Sequence, residues 1–223
     1  MTAITVIRQF NAVHVLSDTG VFDEHGRLVA FTNKVWPMPH KNAVICIRGL
    51  APIAAAIAEI VFRVGCASYD DMRSNVRREL RSNFEAQAAL FRSKGLVWGE
   101  LKFDVIIAGY SESVGPHCYA FFSYDMASVC LAWDEVLLGP IAPLPSTDEM
   151  MARLNLPDVD TLSIERDGLR IANEQRKVAM PFDVGAPGCG LGGALQLTTI
   201  TTHMITQRII HRWPDKIGER ITP

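Results

Sequence analysis

The amino-acid sequence predicts an α+β protein that folds as a four-layer αββα sandwich. Two observations lead to this prediction: strand-like segments occupy both ends and the middle of the chain, and helix-like segments occur in consecutive pairs. A doubly wound parallel sheet needs a helix between successive strands. Consecutive helix pairs instead suit two mostly antiparallel sheets that pack face to face, with one pair of helices outside each sheet.

The chain begins with four segments that are rich in β-branched and other apolar residues. They cover residues 2–10, 12–18, 27–35 and 43–49, and each predicts a β-strand. Between the second and third segments, residues 23–26 (Asp-Glu-His-Gly) predict a turn, in which the glycine can take a positive φ. The first part of the chain therefore predicts four successive strands.

Two helices are predicted next. Residues 50–65 are rich in Ala and Ile, and Pro52 suits the first turn of a helix. The second helix begins at Ser68 and Asp71, which form a capping-box-like pair, and its apolar residues repeat every four positions. Lys94–Gly95 is the predicted stop of this helix.

The rest of the chain predicts a hairpin, two more helices and a last hairpin. The hairpin strands are residues 103–110 and 117–125, the helices are residues 146–155 and 160–178, and the final strands are residues 195–202 and 205–212. A single long helix at the end is disfavoured because residues 198–202 are β-branched, and such residues prefer strands. We find no linker or repeat, so we expect one domain over residues 1–223.

Composition and charge exclude several classes of function. The formal net charge is −2 and the pI is about 6.3, which gives no electrostatic footprint for nucleic acid. The Arg-rich run Arg73–Arg81 has acidic neighbours and predicts a solvated helix face. No apolar run reaches about 18 residues, so we expect no membrane span. The six histidines are scattered without metal-ligand spacing, so we expect neither a metal nor another cofactor.

The five cysteines indicate a reducing compartment. None of them forms a C-x-x-C pair, their number is odd, and no signal-peptide pattern precedes them. This usage is typical of free thiols in a cytoplasmic protein. Cys46 and Cys189 are alternative nucleophiles, but neither has a recognisable histidine partner in the sequence, and buried apolar thiols are the favoured interpretation.

The stretch Asp18-Thr19-Gly20 follows an apolar strand, which is also how aspartic proteases present a catalytic carboxylate. A two-lobed enzyme of that class needs a second Asp-Thr/Ser-Gly, and the sequence contains none. The small lobes of a dimeric enzyme contain little helix, whereas a long helix is predicted here after Ser68. An aspartic protease is therefore a disfavoured alternative.

The positions of three polar residues suggest another class. Asp18 lies 16 positions after Thr2, and Lys34 lies 32 positions after Thr2. Together with the αββα order, these intervals resemble the N-terminal nucleophile hydrolases, and most closely proteasome β-type subunits and bacterial proteasome-like peptidases. Residues 46–60 resemble the family's strand, glycine and first helix. Residues 104–121 resemble its central hairpin, and residues 190–201 resemble its Gly-Gly entry into the last hairpin.

This resemblance implies a threonine-type amidohydrolase, and specifically a peptidase. Thr2 Oγ would be the nucleophile once Met1 is removed, and the free α-amine, with a pKa of about 7.7–8.0, would be its base. Lys34 would place a positive charge beside Oγ, and Asp18 would hold Lys34 in position. The N–H of Gly49 would stabilise the tetrahedral oxyanion.

The resemblance also implies a substrate and partners. The substrate would be a peptide or another amide, and its pocket would be shaped by Trp36, Arg48 and Leu50. Arg48 could favour an acidic group, or it could form a structural ion pair. A homo-oligomer, with a ring as one form, is implied by the family, whereas an ATP-dependent unfoldase partner stays open.

Two segments depart from the family's pattern. Residues 137–145, which include Gly139, replace a Ser-Gly-Ser-type turn before the third helix. In residues 182–193, Asp183 is shifted from the family's aspartate, and Leu191 stands where the family has a serine. These departures keep a second function open: a catalytically silent αββα scaffold that self-assembles or binds a partner.

Overall fold

The computed structural model describes residues 2–49, 51–93, 102–126, 130–182 and 184–221. Its elements up to the second hairpin are β1 (Ile4–Gln9), β2 (Ala12–Asp18), β3 (Gly20–Phe22), β4 (Leu28–Phe31), β5 (Val35–Met38), β6 (Ala43–Arg48), α1 (Ala51–Arg63), α2 (Tyr69–Ser93), β7 (Asp104–Ser111) and β8 (Gly115–Phe122). The remaining elements are β9 (Val136–Leu137), β10 (Ile141–Leu144), α3 (Asp148–Leu154), α4 (Ile164–Arg176), β11 (Ala179–Met180), β12 (Gly188–Cys189), β13 (Ala194–Ile200) and β14 (Ile205–Arg212).

Two five-stranded sheets, in which neighbouring strands are antiparallel, lie at the centre of the molecule. The first sheet has the order β10-β1-β2-β13-β14, and the second has the order β5-β6-β7-β8-β9. Helices α1 and α2 pack on the second sheet, and α3 and α4 pack on the first. The predicted four-layer αββα sandwich is therefore confirmed.

The alternation of side chains along the strands separates the hydrophobic core into layers. On β6, Val44 and Cys46 face the first sheet, whereas Ile45 and Ile47 face α1 and α2. On β2, Leu16 packs instead in the cluster under α3 and α4. Each central strand therefore contributes to the core on both of its faces, as its nearly continuous apolar sequence requires.

Two predicted features of α2 are confirmed. Ser68 Oγ accepts a hydrogen bond from the N–H of Asp71 at 3.1 Å, so Ser68 caps the helix that begins at Tyr69. The basic run lies on an exposed face, where Arg73 pairs with Glu135 and Arg77 pairs with Asp134. The predicted stop at Lys94–Gly95 lies outside the described residues.

No helix in the described ranges combines the length and the apolar composition that crossing a membrane requires.

The single strand predicted over residues 27–35 is wrong. β4 pairs with β3 in a small separate hairpin, whereas β5 is the edge of the second sheet. Asn33 interrupts the segment because its side-chain oxygen accepts the N–H of Val35 at 3.0 Å, a local bond that favours a turn. The chain thereby passes from the small hairpin to the second sheet at Lys34.

The short strands β3 and β9 to β12 were not predicted. β10 lies within residues 137–145 and pairs with β1 at the edge of the first sheet, where Pro143 is opposite Thr5. Proline obscures a strand in the sequence because it cannot donate to the ladder, but an edge strand tolerates it. The segment before α3 is therefore extended, and Thr147 Oγ1 caps α3 by accepting the N–H of Met150 at 3.1 Å.

The partly buried side chain of His14 predicts that stability depends on pH. Burial lowers the pKa of His14 from 6.5 to about 4, and its ring hydrogen-bonds with Thr199 and Gln9. Between these values the unfolded chain binds more protons than the folded one, so stability falls as the pH drops from 6.5 towards 4.

Between pH 7 and pH 4.5, we expect the free energy of unfolding to fall by about 2 kcal/mol less in His14→Gln than in wild type. Urea unfolding at the two pH values measures this difference. His203→Gln, at an exposed position, is the control for the substitution itself. Identical pH dependence in wild type and His14→Gln contradicts the prediction.

Candidate functional site

Asp18 and Lys34 meet in a buried ion pair. Asp18 is the last residue of β2, and Lys34 directly precedes β5, so the pair joins the first sheet to the second. Lys34 Nζ lies 2.8 Å from Asp18 Oδ1, and the side chains are 5% and 0% exposed. The structure thus brings together two of the residues that the sequence interval selected.

Four donors among the described residues hydrogen-bond to the Asp18 carboxylate. Besides Lys34, Oδ1 accepts the N–H of Ala3 at 3.0 Å, and Oδ2 accepts the N–H groups of Gly20 and Gly192 at 3.1 and 3.2 Å. A carboxylate offers about four lone-pair sites, so these donors match its capacity. Asp18 is consequently suited to orienting its neighbours, and not to activating water as in an aspartic protease.

The surroundings of Lys34 make its ammonium easier to deprotonate. Burial is the main cause that lowers the pKa of Lys34 below its ordinary value. Asp18 opposes this shift, and the positive charge of Arg48 adds to it. A lysine with a lowered pKa is a common feature of functional sites, because its ammonium gives up a proton more readily than an exposed one does.

Thr2 lies beside this pair at the start of the first sheet. The peptide group that joins Thr2 to Ala3 is bound on both sides: its N–H donates to Asp18 Oδ1 at 3.0 Å, and its carbonyl accepts from Arg48 Nε at 2.9 Å. The side chain of Thr2 is buried. Four predicted site residues, Thr2, Asp18, Lys34 and Arg48, are therefore connected, whereas Met1 lies outside the described residues.

Gly49 follows β6 and precedes α1 closely in the chain. Its φ is +148°, and a Cβ at this position would lie 2.8 Å from Phe103 Cβ. The backbone therefore requires glycine here, both for its conformation and for its close approach to Phe103, which directly precedes β7. The oxyanion role of the Gly49 N–H stays a prediction.

Arg48 forms a structural ion pair, one of the two alternatives left open by the sequence. Its Nη1 donates to Asp104 Oδ2 at 2.5 Å, and Tyr124 Oη donates to Asp104 Oδ1 at 2.9 Å. Burial raises the pKa of Asp104, while Arg48 and Tyr124 counteract this shift. Trp36 packs against the cluster between the second sheet and the α1–α2 pair. Leu50 lies outside the described residues, and the substrate roles of all three predicted pocket residues stay predictions.

The sequence analysis missed a second buried ion pair near the site. Arg176 Nη1 and Nη2 donate to Asp215 at 2.9 and 3.0 Å, and Asp215 also accepts the N–H of Gly193 at 2.8 Å. Arg176 further donates to the carbonyl of Leu191 at 3.1 Å. This pair therefore fixes the glycine loop, in which the N–H of the preceding residue, Gly192, donates to Asp18.

Leu191 occupies the position where the family pattern has a serine, and its side chain is packed in a hydrophobic cluster with Ala3 and Cys189. Gly139 is exposed between β9 and β10, and Asp183 lies outside the described residues. The only sequence signal for this part of the site was the Gly-Gly pair, because Asp215 stands in no motif.

The buried cysteines are poor nucleophiles. Burial raises the pKa of the Cys46 and Cys189 thiols, and Cys189 Sγ donates to the carbonyl of Leu191 at 3.1 Å. All five cysteines are free. Within the described ranges, no group of three or more His, Cys, Asp or Glu side chains could hold a metal ion.

Comparison with known proteins identifies structural neighbours but no sequence relative. No family model matches the chain, and no curated protein matches it. An Anbu (Gly-1) mutant from Hyphomicrobium sp. strain MC1 has a TM-score of 0.66 at 10% identity, with 95% of this chain and 87% of that chain covered. Anbu (ancestral beta-subunit) from Yersinia bercovieri has a TM-score of 0.63 at 10% identity, with 94% and 87% covered. At this identity the likeness establishes the fold alone, and the chain shares the αββα architecture of these Anbu structures.

Proposed function

We propose that the protein is a threonine-type N-terminal nucleophile amidohydrolase, specifically a peptidase, in which Thr2 becomes the nucleophile after removal of Met1. The observation that carries this proposal is the buried Asp18–Lys34 pair, whose carboxylate also binds the N–H that follows Thr2. Desolvation of a buried ion pair offsets most of its attraction, so such a pair gives little net stability. Chemistry at Thr2 accounts better for its presence than folding does.

Each residue then has a defined role in acyl transfer. The α-amine of Thr2 takes the proton from Oγ, and Oγ attacks the carbonyl carbon of the substrate. Lys34 stabilises the developing alkoxide, while Asp18 holds Lys34 in place. The Gly49 N–H donates to the oxyanion, a contact whose loss typically lowers the rate about 100- to 1000-fold. The C–N bond breaks, the leaving amine takes the proton, and water then hydrolyses the acyl-enzyme.

The proposal includes assembly and location. The fold likeness to a protein described as an ancestral beta-subunit supports a homo-oligomer, for which a ring is one form. We propose a single domain over residues 1–223 that acts in the cytoplasm on peptide or amide substrates. An ATP-dependent unfoldase as a partner remains an open proposal.

Intact-mass measurement tests the nucleophile. Protein from its expression host is measured before and after reaction with an epoxyketone or a β-lactone that is directed at N-terminal threonine. We expect a mass without Met1 that gains one adduct, because a free Thr2 amine and Oγ are both needed for that reaction. Thr2→Ala should gain none, whereas Thr32→Ala, at an exposed position, should gain one.

A mass that retains Met1 and gains no adduct would contradict the hydrolase proposal. It would favour the second candidate, a catalytically silent scaffold that self-assembles or binds a partner. One observation supports that candidate: Leu191 fills the family's serine position with a side chain packed in a hydrophobic cluster. Native mass spectrometry of the unreacted protein would then have to show an oligomer for the self-assembling form of the scaffold.

A further inference from the structure

The peptide group between Thr2 and Ala3 is held by two side chains of opposite charge. Its N–H donates to the Asp18 carboxylate, and its carbonyl oxygen accepts from the Arg48 guanidinium. Both contacts align with the peptide dipole, since the negative group binds the N–H and the positive group binds the oxygen. Such charge-assisted bonds are stronger than neutral ones, so this peptide plane is strongly restrained.

Arg48 is itself held in position by two further side chains. Asp104 on β7 accepts from its Nη1 at 2.5 Å, and Tyr124 donates to the other oxygen of Asp104 at 2.9 Å. Asp104 is buried, and Arg48 is largely so. A buried guanidinium whose geometry is determined by a carboxylate loses little further freedom when it binds the peptide oxygen. The network thus extends from Lys34 across the Thr2–Ala3 peptide to Tyr124.

We propose that Arg48, Asp104 and Tyr124 form a positioning unit that sets the orientation of Thr2 by clamping the peptide plane that follows it. This inference rests on the proposed function and deepens it. Rotation of that plane changes ψ of Thr2, which determines where the α-amine and Oγ lie relative to Lys34. Displacement of a reacting group by about 1 Å can lower a rate about 100-fold, so the restraint matters for catalysis.

The unit also acts on Lys34 through charge. Among the described residues, the charged groups that influence the Lys34 ammonium are Asp18 from β2 and Arg48 from β6. Because Arg48 lowers the pKa of Lys34, removing its charge should raise that pKa. Arg48 is therefore a positioning residue with a second, electrostatic effect, and the two effects can be separated by substitution.

Three variants and a control separate these effects. Arg48→Gln removes both the positive charge and the planar guanidinium with its several N–H donors. Arg48→Lys keeps the charge but cannot bridge the peptide oxygen and Asp104. Tyr124→Phe removes only the hydroxyl that donates to Asp104. Arg73→Gln is the matched control, since Arg73 pairs with Glu135 on the exposed face of α2. Tyr124→Phe also serves if the Arg48 variants fold poorly.

Two readouts do not depend on activity. We expect faster hydrogen exchange at the Ala3 amide in Arg48→Gln, Arg48→Lys and Tyr124→Phe, because the peptide plane is released. NMR titration of the Lys34 side chain should show a raised pKa in Arg48→Gln but not in Arg48→Lys. Arg73→Gln should match wild type in both measurements. Wild-type exchange at Ala3 in all three variants would overturn the clamp. An unchanged Lys34 titration in Arg48→Gln would overturn the electrostatic effect.

The rate of adduct formation at Thr2 tests the catalytic consequence. We expect about 10- to 100-fold slower acylation in both Arg48 variants and about 3- to 10-fold slower acylation in Tyr124→Phe. Wild-type rates in the Arg48 variants would refute the positioning role. If wild-type protein itself forms no adduct, the proposed function fails, and exchange at Ala3 with the Lys34 titration still decides whether the clamp exists.

Discussion

Asp18→Asn is expected to destabilise the protein more than Lys34→Met, although each removes the same ion pair. The asparagine leaves the Lys34 ammonium buried without a countercharge, and its amide N–H₂ faces backbone donors that the carboxylate satisfied. Breaking a buried pair in this way typically costs about 3–5 kcal/mol. Lys34→Met leaves Asp18 bound to three backbone N–H groups, those of Ala3, Gly20 and Gly192. Its cost should therefore be about 2 kcal/mol smaller.

Urea unfolding at pH 7 measures this difference. The double variant Asp18→Asn/Lys34→Met should be more stable than Asp18→Asn alone, because it no longer buries an unpaired ammonium. Both single variants should slow acylation of Thr2 about 100- to 1000-fold, the range expected when a group that stabilises developing negative charge is lost or displaced. A Lys34→Met variant that is as unstable as Asp18→Asn would show that the backbone donors do not support the carboxylate.

Arg176→Met is expected to destabilise the protein by about 3–5 kcal/mol, because it leaves the Asp215 carboxylate buried without its cation. The Arg176 and Asp215 side chains are 8% and 7% exposed. The loss should reach the candidate site as well. Arg176 and Asp215 hold the loop in which Gly192 donates to Asp18, so acylation of Thr2 should slow along with the loss of stability.

Arg153→Met is the matched control for this prediction. Arg153 pairs with Glu149 and Glu174, but its side chain is exposed, and exposed pairs contribute about 0–1 kcal/mol. Thermal and urea unfolding should therefore give a free energy of unfolding that is several kcal/mol lower for Arg176→Met than for Arg153→Met. Equal stability of the two variants would show that the buried pair has no special importance for the glycine loop.

The sequence by itself determined the order of the four helices and the long strands, and with it the αββα class. Helix caps, apolar periodicity and β-branched runs are local signals, so they predicted α2 from Ser68 and the last hairpin without knowledge of packing. The intervals from Thr2 to Asp18 and from Thr2 to Lys34 also predicted which polar residues form the candidate site. Two of them form an ion pair across the two sheets, while the chemical roles assigned to them remain predictions.

Only the tertiary structure decided how this site is supported. Gly192 donates to Asp18 from 174 positions away, and Asp215 and Arg176 are 39 positions apart. Contacts over such distances leave no periodic pattern in the chain, because they depend on which strands become neighbours. The same reason explains the role of Arg48: as a sequence position it could bind substrate or form an ion pair, and the placement of Asp104 on the adjacent strand β7 favours the ion pair.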